Sequence, residues 1–416
     1  MNESVTLHPS RRLVAIFTII AFALLPMTPA LVILSPISPP GISLLPPLGA
    51  KFVLLAELVM ALTALVIFLT APRLRAGLGA PPIFRAALVY IGTMLLASLL
   101  GLDPVTGLGL TLLEALIVVW SYAIWTYFGE AWVRIGIVAT MLSAGVLSSL
   151  LAIGMVVAHR PSALYAYVLG RATGTFVVPG ELAGYLLFLL ATAVGVLSAT
   201  RLPVLRSLAV AALACGGAAL VLTYSRAGWL GFAAGAAFLV AMRLRSPKAR
   251  FAVISALLAF VVFLPFFQGH HNQTDNFTRL PIWQAALRSV ELFPLTGVGP
   301  GAFRLVYPVL RPPDGLAVAF HAHNALLTTA AETGLIGLAA FVGLWWVFGR
   351  DLHTRLAIAK PRSRNLALCL AAGFVATGAQ GMLDSVTVVE IGCWIPFMAL
   401  TLGAAEHGLE EPCDAR

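Results

Sequence analysis

The chain has 416 residues, 60% of them hydrophobic and only 10% charged, with a mean hydropathy of +0.96, a balance that excludes a water-soluble globular domain. Apolar stretches of about 20 residues recur, each long enough to cross a hydrocarbon core of roughly 30 Å, and none shows the alternation of a membrane barrel. The net charge of +9 would direct a soluble protein toward nucleic acid, but in a polytopic membrane protein Lys and Arg set orientation, so no nucleic-acid partner is expected.

The fold expected is therefore all-α, a single membrane domain over 1–416 with about twelve transmembrane helices. Apolar windows closed by charge clusters or Pro/Gly turns fall at 12–34, 51–70, 84–101, 107–127, 131–157, 181–199, 204–222, 226–242, 250–268, 325–349, 364–384 and 386–405. The first follows Arg11-Arg12 like a signal peptide but lacks a small-x-small cleavage site, so it reads as an uncleaved span. With the N-terminus inside, 18 of the 26 basic residues fall on the inner side and 8 outside, the asymmetry of the positive-inside rule, and both termini are cytoplasmic. The largest outer segment, 269–324, lies between spans 9 and 10. It contains TRLPIWQAALRSVELF, whose Ile282, Ala285, Ala286 and Leu287 offer an apolar face, so one or two short helices are expected at the membrane surface. Cys215, Cys369 and Cys393 sit in apolar runs and Cys413 in the tail, without metal-site spacing or a disulfide setting.

The outer arginines are not explained by topology. Arg160 and Arg171 lie in the outer loop 159–180, where Arg171 can meet an anion or pair with Glu181. Thr223-Tyr224-Ser225-Arg226 joins two spans by a tight outer turn, with Ser225 an N-cap and Arg226 in the first helical turn. A cation there opposes the helix dipole; it makes sense if an anion docks between the two, or if the side chain snorkels to headgroup phosphate. Arg279 and Arg288 bracket the amphipathic stretch. Nine positions is half a turn out of phase, so only one faces a shared site, and Arg279 is chosen.

Gly297-Val298-Gly299-Pro300-Gly301-Ala302-Phe303 lacks the strand context and third-glycine spacing of a dinucleotide fingerprint; it reads as a turn placing Phe303 near the membrane. His321 and His323 precede Asn324 at the start of an apolar run. A histidine at a helix N-terminus is kept neutral by the dipole and can take a hydroxyl proton near pH 7; the plainer reading is a pair of interfacial polar residues before an Asn cap. Glu332 within that run is best used in an interhelical hydrogen bond. None of the six aspartates forms an Asp-x-Asp pair, so no divalent metal and no cofactor are expected, and a diphosphate would be neutralised by arginine.

Four pieces occur in order: Arg171-Ala-Thr-Gly-Thr-Phe with Pro179; Ser225-Arg226-Ala-Gly-Trp-Leu230; Arg279 with Trp283 and the glycine turn to Phe303; and His323-Asn324-x-x-Leu327 with Glu332-x-Gly334. Together they resemble the O-antigen ligase and polymerase superfamily of bacterial inner-membrane glycosyltransferases, over about residues 165–340. The resemblance implies transfer of a polysaccharide from undecaprenyl diphosphate to the outer-core sugar of lipid A–core, at the periplasmic side of the inner membrane, without metal or nucleotide. It makes 269–324 a periplasmic loop segment, and membrane lipids, the lipid-linked glycan and lipid A–core the partners. By that carry-over His323 is the catalytic base, with His321 left open as its rival, and Arg226 and Arg279 hold the diphosphate. Arg171, Arg160 and Arg288 are secondary candidates. A single inverting displacement is expected, since no paired carboxylates offer a covalent intermediate. The alternatives are the polymerase of the same superfamily, which would use the same residues, and a lipid-linked sugar flippase, which would line a path through the membrane and carry inverted repeats.

Overall fold

A computed structural model describes residues 9–24, 81–176, 178–267, 279–313, 315–316, 319–384 and 394–409. Among these the regular structure is entirely helical. The first half holds α1 (Pro9–Leu24), α2 (Pro82–Leu100), α3 (Pro104–Tyr127), α4 (Ala131–Ala158), the short α5 (Ser162–Tyr167), α6 (Pro179–Ala199) and α7 (Pro203–Leu222). The second holds α8 (Arg226–Arg243), α9 (Pro247–Phe267), α10 (Arg279–Leu292), α11 (Phe303–Leu310), α12 (Ala325–Ile358), α13 (Pro361–Gly381) and α14 (Trp394–Glu406).

Helix starts are written locally. Proline occupies the first helical position of α2, α3, α6, α7 and α13, where its missing N–H has no partner to lose. Asp103, Ser225 and Asn324 cap α3, α8 and α12 through side-chain oxygens that accept from Thr106, Gly228 and Leu327 N–H groups.

Among the described residues, six helices are long and apolar enough to cross a membrane: α2, α3, α4, α6, α7 and α12. Helices α1, α8, α9, α13 and α14 fall in other windows where spans are expected, and the window at 51–70 lies outside the described residues. The bundle is built around α6, of which 83% of the apolar window is buried, against 33% for α7. Phe188 of α6 stacks on Phe397 of α14 at 4.0 Å and meets Phe374 of α13 edge-on at 5.3 Å. The outer helices turn Val89, Leu99, Leu112, Leu150 and Val210 outward, an apolar exterior that suits lipid rather than water.

A second, smaller core lies apart from the bundle. Ile282, Ala285 and Ala286 of α10 pack with Phe303 and Tyr307 of α11, Ala319, Ala322 and Ala331. The glycine turn thus delivers Phe303 into a packed interior, where it is fully buried, instead of onto the membrane surface. Arg304 ties this cap to the bundle by its 2.8 Å ion pair with Asp103, and Leu102 N–H donates to the Val298 carbonyl.

Helix α12 departs most from expectation. A continuous span from residue 325 is expected, but Gly334 has φ 67° and ψ −173°, which breaks the helix in two. The N–H groups of Val298 and Gly299 close the freed carbonyls of Ala331 and Glu332, and Leu335 N–H turns to the Pro294 carbonyl. Ala325 and Leu326 line the same cavity as Phe341, Val342 and Trp345. In an unbroken helix Ala325 and Trp345 would stand about 30 Å apart at 1.5 Å per residue. Residues 325–333 therefore fold back beside residues 335–358, and the half-helix points its N-terminus into the bundle. Only glycine fits at the reversal, because of its positive φ and because a Cβ there would lie 2.2 Å from the Leu295 carbonyl oxygen.

Candidate active site

The tip of that half-helix carries the histidines. His323 has φ 50°, an uncommon left-handed conformation for a residue with a Cβ. It is held on both sides: Ala322 N–H donates to Thr328 Oγ1 at 3.1 Å, and Asn324 both caps Leu327 and donates from Nδ2 to the Met382 carbonyl at 2.9 Å. That second bond fastens the tip to the end of α13. There, His323 Nδ1 lies 3.5 Å from Asp384 Oδ1, within charge-pair reach although longer than a formed N–H···O bond. The His323 side chain is 31% exposed and that of Asp384 12%. Since Nδ1 is shut off from solvent, the accessible part of the ring is the Nε2 side.

Asp384 is itself enclosed. Gln380 Nε2 donates to the Gly180 carbonyl at 2.8 Å, which locks the C-terminal end of α13 to the first turn of α6. A Cβ at Gly180 would lie 2.3 Å from Asp384 Oδ2, so glycine leaves the space that the carboxylate occupies. Arg279, the first residue of α10, donates from Nη1 to the Leu383 carbonyl. The His321 ring lies 4.3 Å from that of His323, tilted by 58°.

These neighbours set the charges. Burial lowers the His323 pKa from its ordinary value, helped by the positive fields of His321 and Arg279; the Asp384 contact opposes them without reversing the outcome. Burial alone would raise the Asp384 carboxyl, but His323, then Arg279 and His321, outweigh it and lower its pKa. At neutral pH the pair is thus an uncharged imidazole beside a carboxylate, the state of a general base with its orienting acid. His321, His323 and Asp384 also bring ligand atoms within 4.8 Å of one another. The Arg279 guanidinium in the same cluster opposes a metal cation, so the group suits proton and anion chemistry better.

Arg226 is brought to this end of the molecule by helix meshing. Ideal Cβ atoms at Gly231 and Gly235 of α8 would lie 2.5 Å from the Ala376 carbonyl and 2.7 Å from that of Ala372, so α8 and α13 run antiparallel in close contact. Five residues back along α8 and five onward along α13, that register sets Arg226 level with Gly381, one helical turn before Asp384. The starts of α6, α8, α10 and α12 thus gather round the end of α13, and their positive dipole ends add to the guanidinium charge.

The secondary candidates divide. Arg171 supports the turn bearing Arg226: its Nε donates to the Thr223 carbonyl at 2.9 Å, and Ala172 N–H donates to that of Leu222. Arg288 is exposed and donates to the Leu310 carbonyl, fastening α10 to α11. Arg160 stands exposed on the turn after α4. Sequence reasoning passed over Asp384 and Gln380. The available signal was an acid closing an apolar window on the side assigned to Arg279.

Residues 208–342 match the family model described as O-antigen ligase. The matched third of the chain includes Arg226, Arg279, His321 and His323, while Asp384 lies beyond it. No curated protein matches the sequence significantly. Members of this family are membrane glycosyltransferase-like ligases and polymerases. The similarity to the O-antigen ligase family thus rests on residues 208–342, the stretch that carries Arg226, Arg279, His321 and His323.

Proposed function

We propose that the protein is an O-antigen ligase of the bacterial inner membrane, transferring polysaccharide from undecaprenyl diphosphate to the outer-core sugar of lipid A–core at the periplasmic face. In this reading the chain has about twelve spans, cytoplasmic termini and a periplasmic segment 269–324 that carries α10 and α11. Arg226 and Arg279 bind the donor diphosphate, aided by the helix starts around them. His323 takes the proton of the acceptor hydroxyl on Nε2 while Asp384 holds the Nδ1–H tautomer and steadies the imidazolium that forms. The acceptor oxygen attacks the anomeric carbon opposite the diphosphate, the bond to the diphosphate breaks, and the configuration inverts. Undecaprenyl diphosphate leaves with its charge compensated by the two guanidinium groups, so no step calls for a metal.

The observation that carries this reading is the meeting of His323, Asp384 and Arg279 at one point, with Arg226 brought to the same end of the bundle by the register of α8 on α13. The test is to incubate purified full-length protein in nanodiscs with lipid-linked glycan and either lipid A–core or a second molecule of donor. The expected product is glycan-capped lipid A–core. A lengthened lipid-linked glycan instead would assign the chain to the polymerases, and unchanged donor accumulating across the bilayer would assign a flippase. His323→Ala should abolish transfer while membrane insertion is kept; wild-type product from that variant would remove His323 as the base.

A further inference from the structure

Arg171 and Arg226 meet the same turn at opposite helix poles. Helix α7 ends at Leu222 and α8 begins at Arg226, so a carbonyl end and an N–H end adjoin, and a cation is favoured at the first and opposed at the second. The carbonyls freed at the end of α7 all find donors. Leu220 accepts from Trp229 Nε1 at 3.1 Å and from Thr223 Oγ1 at 2.7 Å, and Val221 accepts from Tyr224 N–H at 3.1 Å. The next two are met from outside the hairpin: Leu222 by Ala172 N–H and Thr223 by Arg171 Nε, each at 2.9 Å. Thr223 leads into Tyr224, which takes φ 48°, and then Ser225, the cap of α8. The segment that reaches in is itself anchored on α4. Thr175 Oγ1 and Ser148 Oγ lie 2.7 Å apart, Thr173 Oγ1 donates to Met155 Sδ at 3.3 Å, and Ala172, Thr173 and Thr175 are fully buried. Gly174 has φ 60° and a Cβ there would lie 2.5 Å from the Ser148 carbonyl oxygen, so the segment is pressed against the helix.

We infer that Arg171 is a positioning residue for the diphosphate site: through the Thr223 carbonyl it transmits the fixed frame of α4 to the turn that aims Arg226, and it does not itself hold the anion. The inference rests on the function proposed above. Helix ends fray, and Arg226 is the first residue of α8. The glycines further along seat that helix on α13, but its first turn is steadied only by what grips residues 222–225, and Arg171 with Ala172 supplies the grip from outside. The chemistry of the guanidinium agrees. Its Nε is committed to a carbonyl at the negative pole of α7, where a cation is stabilised without any ligand, and that commitment closes the Nε–Nη edge to a bidentate phosphate. Arg226 occupies the pole where a cation is disfavoured unless an anion arrives. Two arginines that look alike in sequence thus divide the work, one setting the frame and the other meeting the charge, and the buried run from Ala172 to Thr175 is the strut between them.

Three substitutions separate frame from charge. Glutamine carries its amide nitrogen as many bonds from Cα as arginine carries Nε, so Arg171→Gln keeps the bond to Thr223 and loses the charge; Arg171→Lys keeps the charge and puts a methylene where Nε stood; Arg171→Met loses both. With full-length protein in nanodiscs, the readouts are the donor KM and, independently of turnover, the Kd for farnesyl diphosphate. Arg171→Met should raise both about tenfold, the loss of one charge-assisted hydrogen bond. Arg171→Gln should restore most of that loss, to within about threefold of wild type, and should bind more tightly than Arg171→Lys. The reverse order would make Arg171 an anion ligand and overturn the inference. Adding Arg226→Ala to Arg171→Met should cost no more than Arg226→Ala alone, because the first residue acts through the second; additive losses would overturn it equally. If Arg171→Met fails to insert, the order of the glutamine and lysine variants decides. A wild type that binds farnesyl diphosphate but transfers no glycan would sink the proposed function and leave the positioning role to be judged on Kd, whereas one that binds none would overturn the role as well.

Discussion

Replacing Asp384 with asparagine removes a charge and leaves the shape. In the wild type, Asp384 Oδ1 faces His323 Nδ1 at 3.5 Å, and the carboxylate has two tasks: to keep the proton on Nδ1, so that Nε2 is free to accept, and to stabilise the imidazolium in the transition state. An amide can donate to Nδ1 and select the wrong tautomer. In tightly paired triads such a change lowers kcat about 10⁴-fold; here the contact is longer and His323 is 31% exposed, so solvent compensates part of the loss. We expect a fall in kcat of about 100-fold, or ~2.7 kcal/mol, with the donor KM little changed. The pH profile gives a second, signed readout. The imidazole works when neutral, so activity falls as pH drops through its pKa, which already lies below the ordinary histidine value. Asp384 is the neighbour that holds this pKa up, so its loss should move the acid limb of kcat to lower pH even as the plateau falls. Initial rates of glycan transfer measured from pH 4.5 to 8 would decide. A variant within twofold of wild type, or one whose acid limb moves to higher pH, would refute the role given to this carboxylate.

Gly180→Ala should mimic that variant from a distance of 204 residues, because the added Cβ, 2.3 Å from Asp384 Oδ2, must displace the carboxylate; a normal rate with a normal pH profile would contradict the packing. Arg226→Lys keeps the charge but loses the bidentate fork, so the donor KM should rise about tenfold, measured by varying lipid-linked glycan at saturating acceptor. Gly334→Ala forces a side chain into a positive-φ reversal and onto the Leu295 carbonyl, which should cost roughly 2–4 kcal/mol. The check is a lower melting temperature in detergent together with impaired transfer; an unshifted melt would mean that the reversal is not held as described.

The helices were legible because their causes are local. Hydropathy marks their extent, and Pro179, Pro203, Ser225 and Asn324 mark their beginnings through chemistry confined to a few residues. Arg226, Arg279 and His323 also stood out locally, as cations and an imidazole at apolar helix starts where topology alone does not require them. Asp384 did not, since its meaning depends on Gly180 and His323, remote in sequence and adjacent only after α6, α12 and α13 have packed. The reversal at Gly334 was hidden for a similar reason. A glycine in an apolar run is ordinary in a membrane helix, and what bends the chain there is the loop at 294–299, which arrives to take over the broken hydrogen bonds. The buried destination of Phe303 likewise follows from α10 and α11 forming a core of their own, which hydropathy cannot distinguish from a membrane anchor.

The glycines of α8 seated over carbonyls of α13 act as the teeth of a gauge. Because Arg226 lies about one and a half turns from the first tooth, Gly231, the number of residues between them sets its height along the bundle. One residue inserted between them would swing the guanidinium about 100° around the helix and lift it about 1.5 Å, moving it off its level with the end of α13 while the packing of the glycines below stayed intact. Lineages can thus vary the lipid-facing side of α8 freely, but the interval of five residues between that arginine and the first tooth is a length the chemistry cannot let drift.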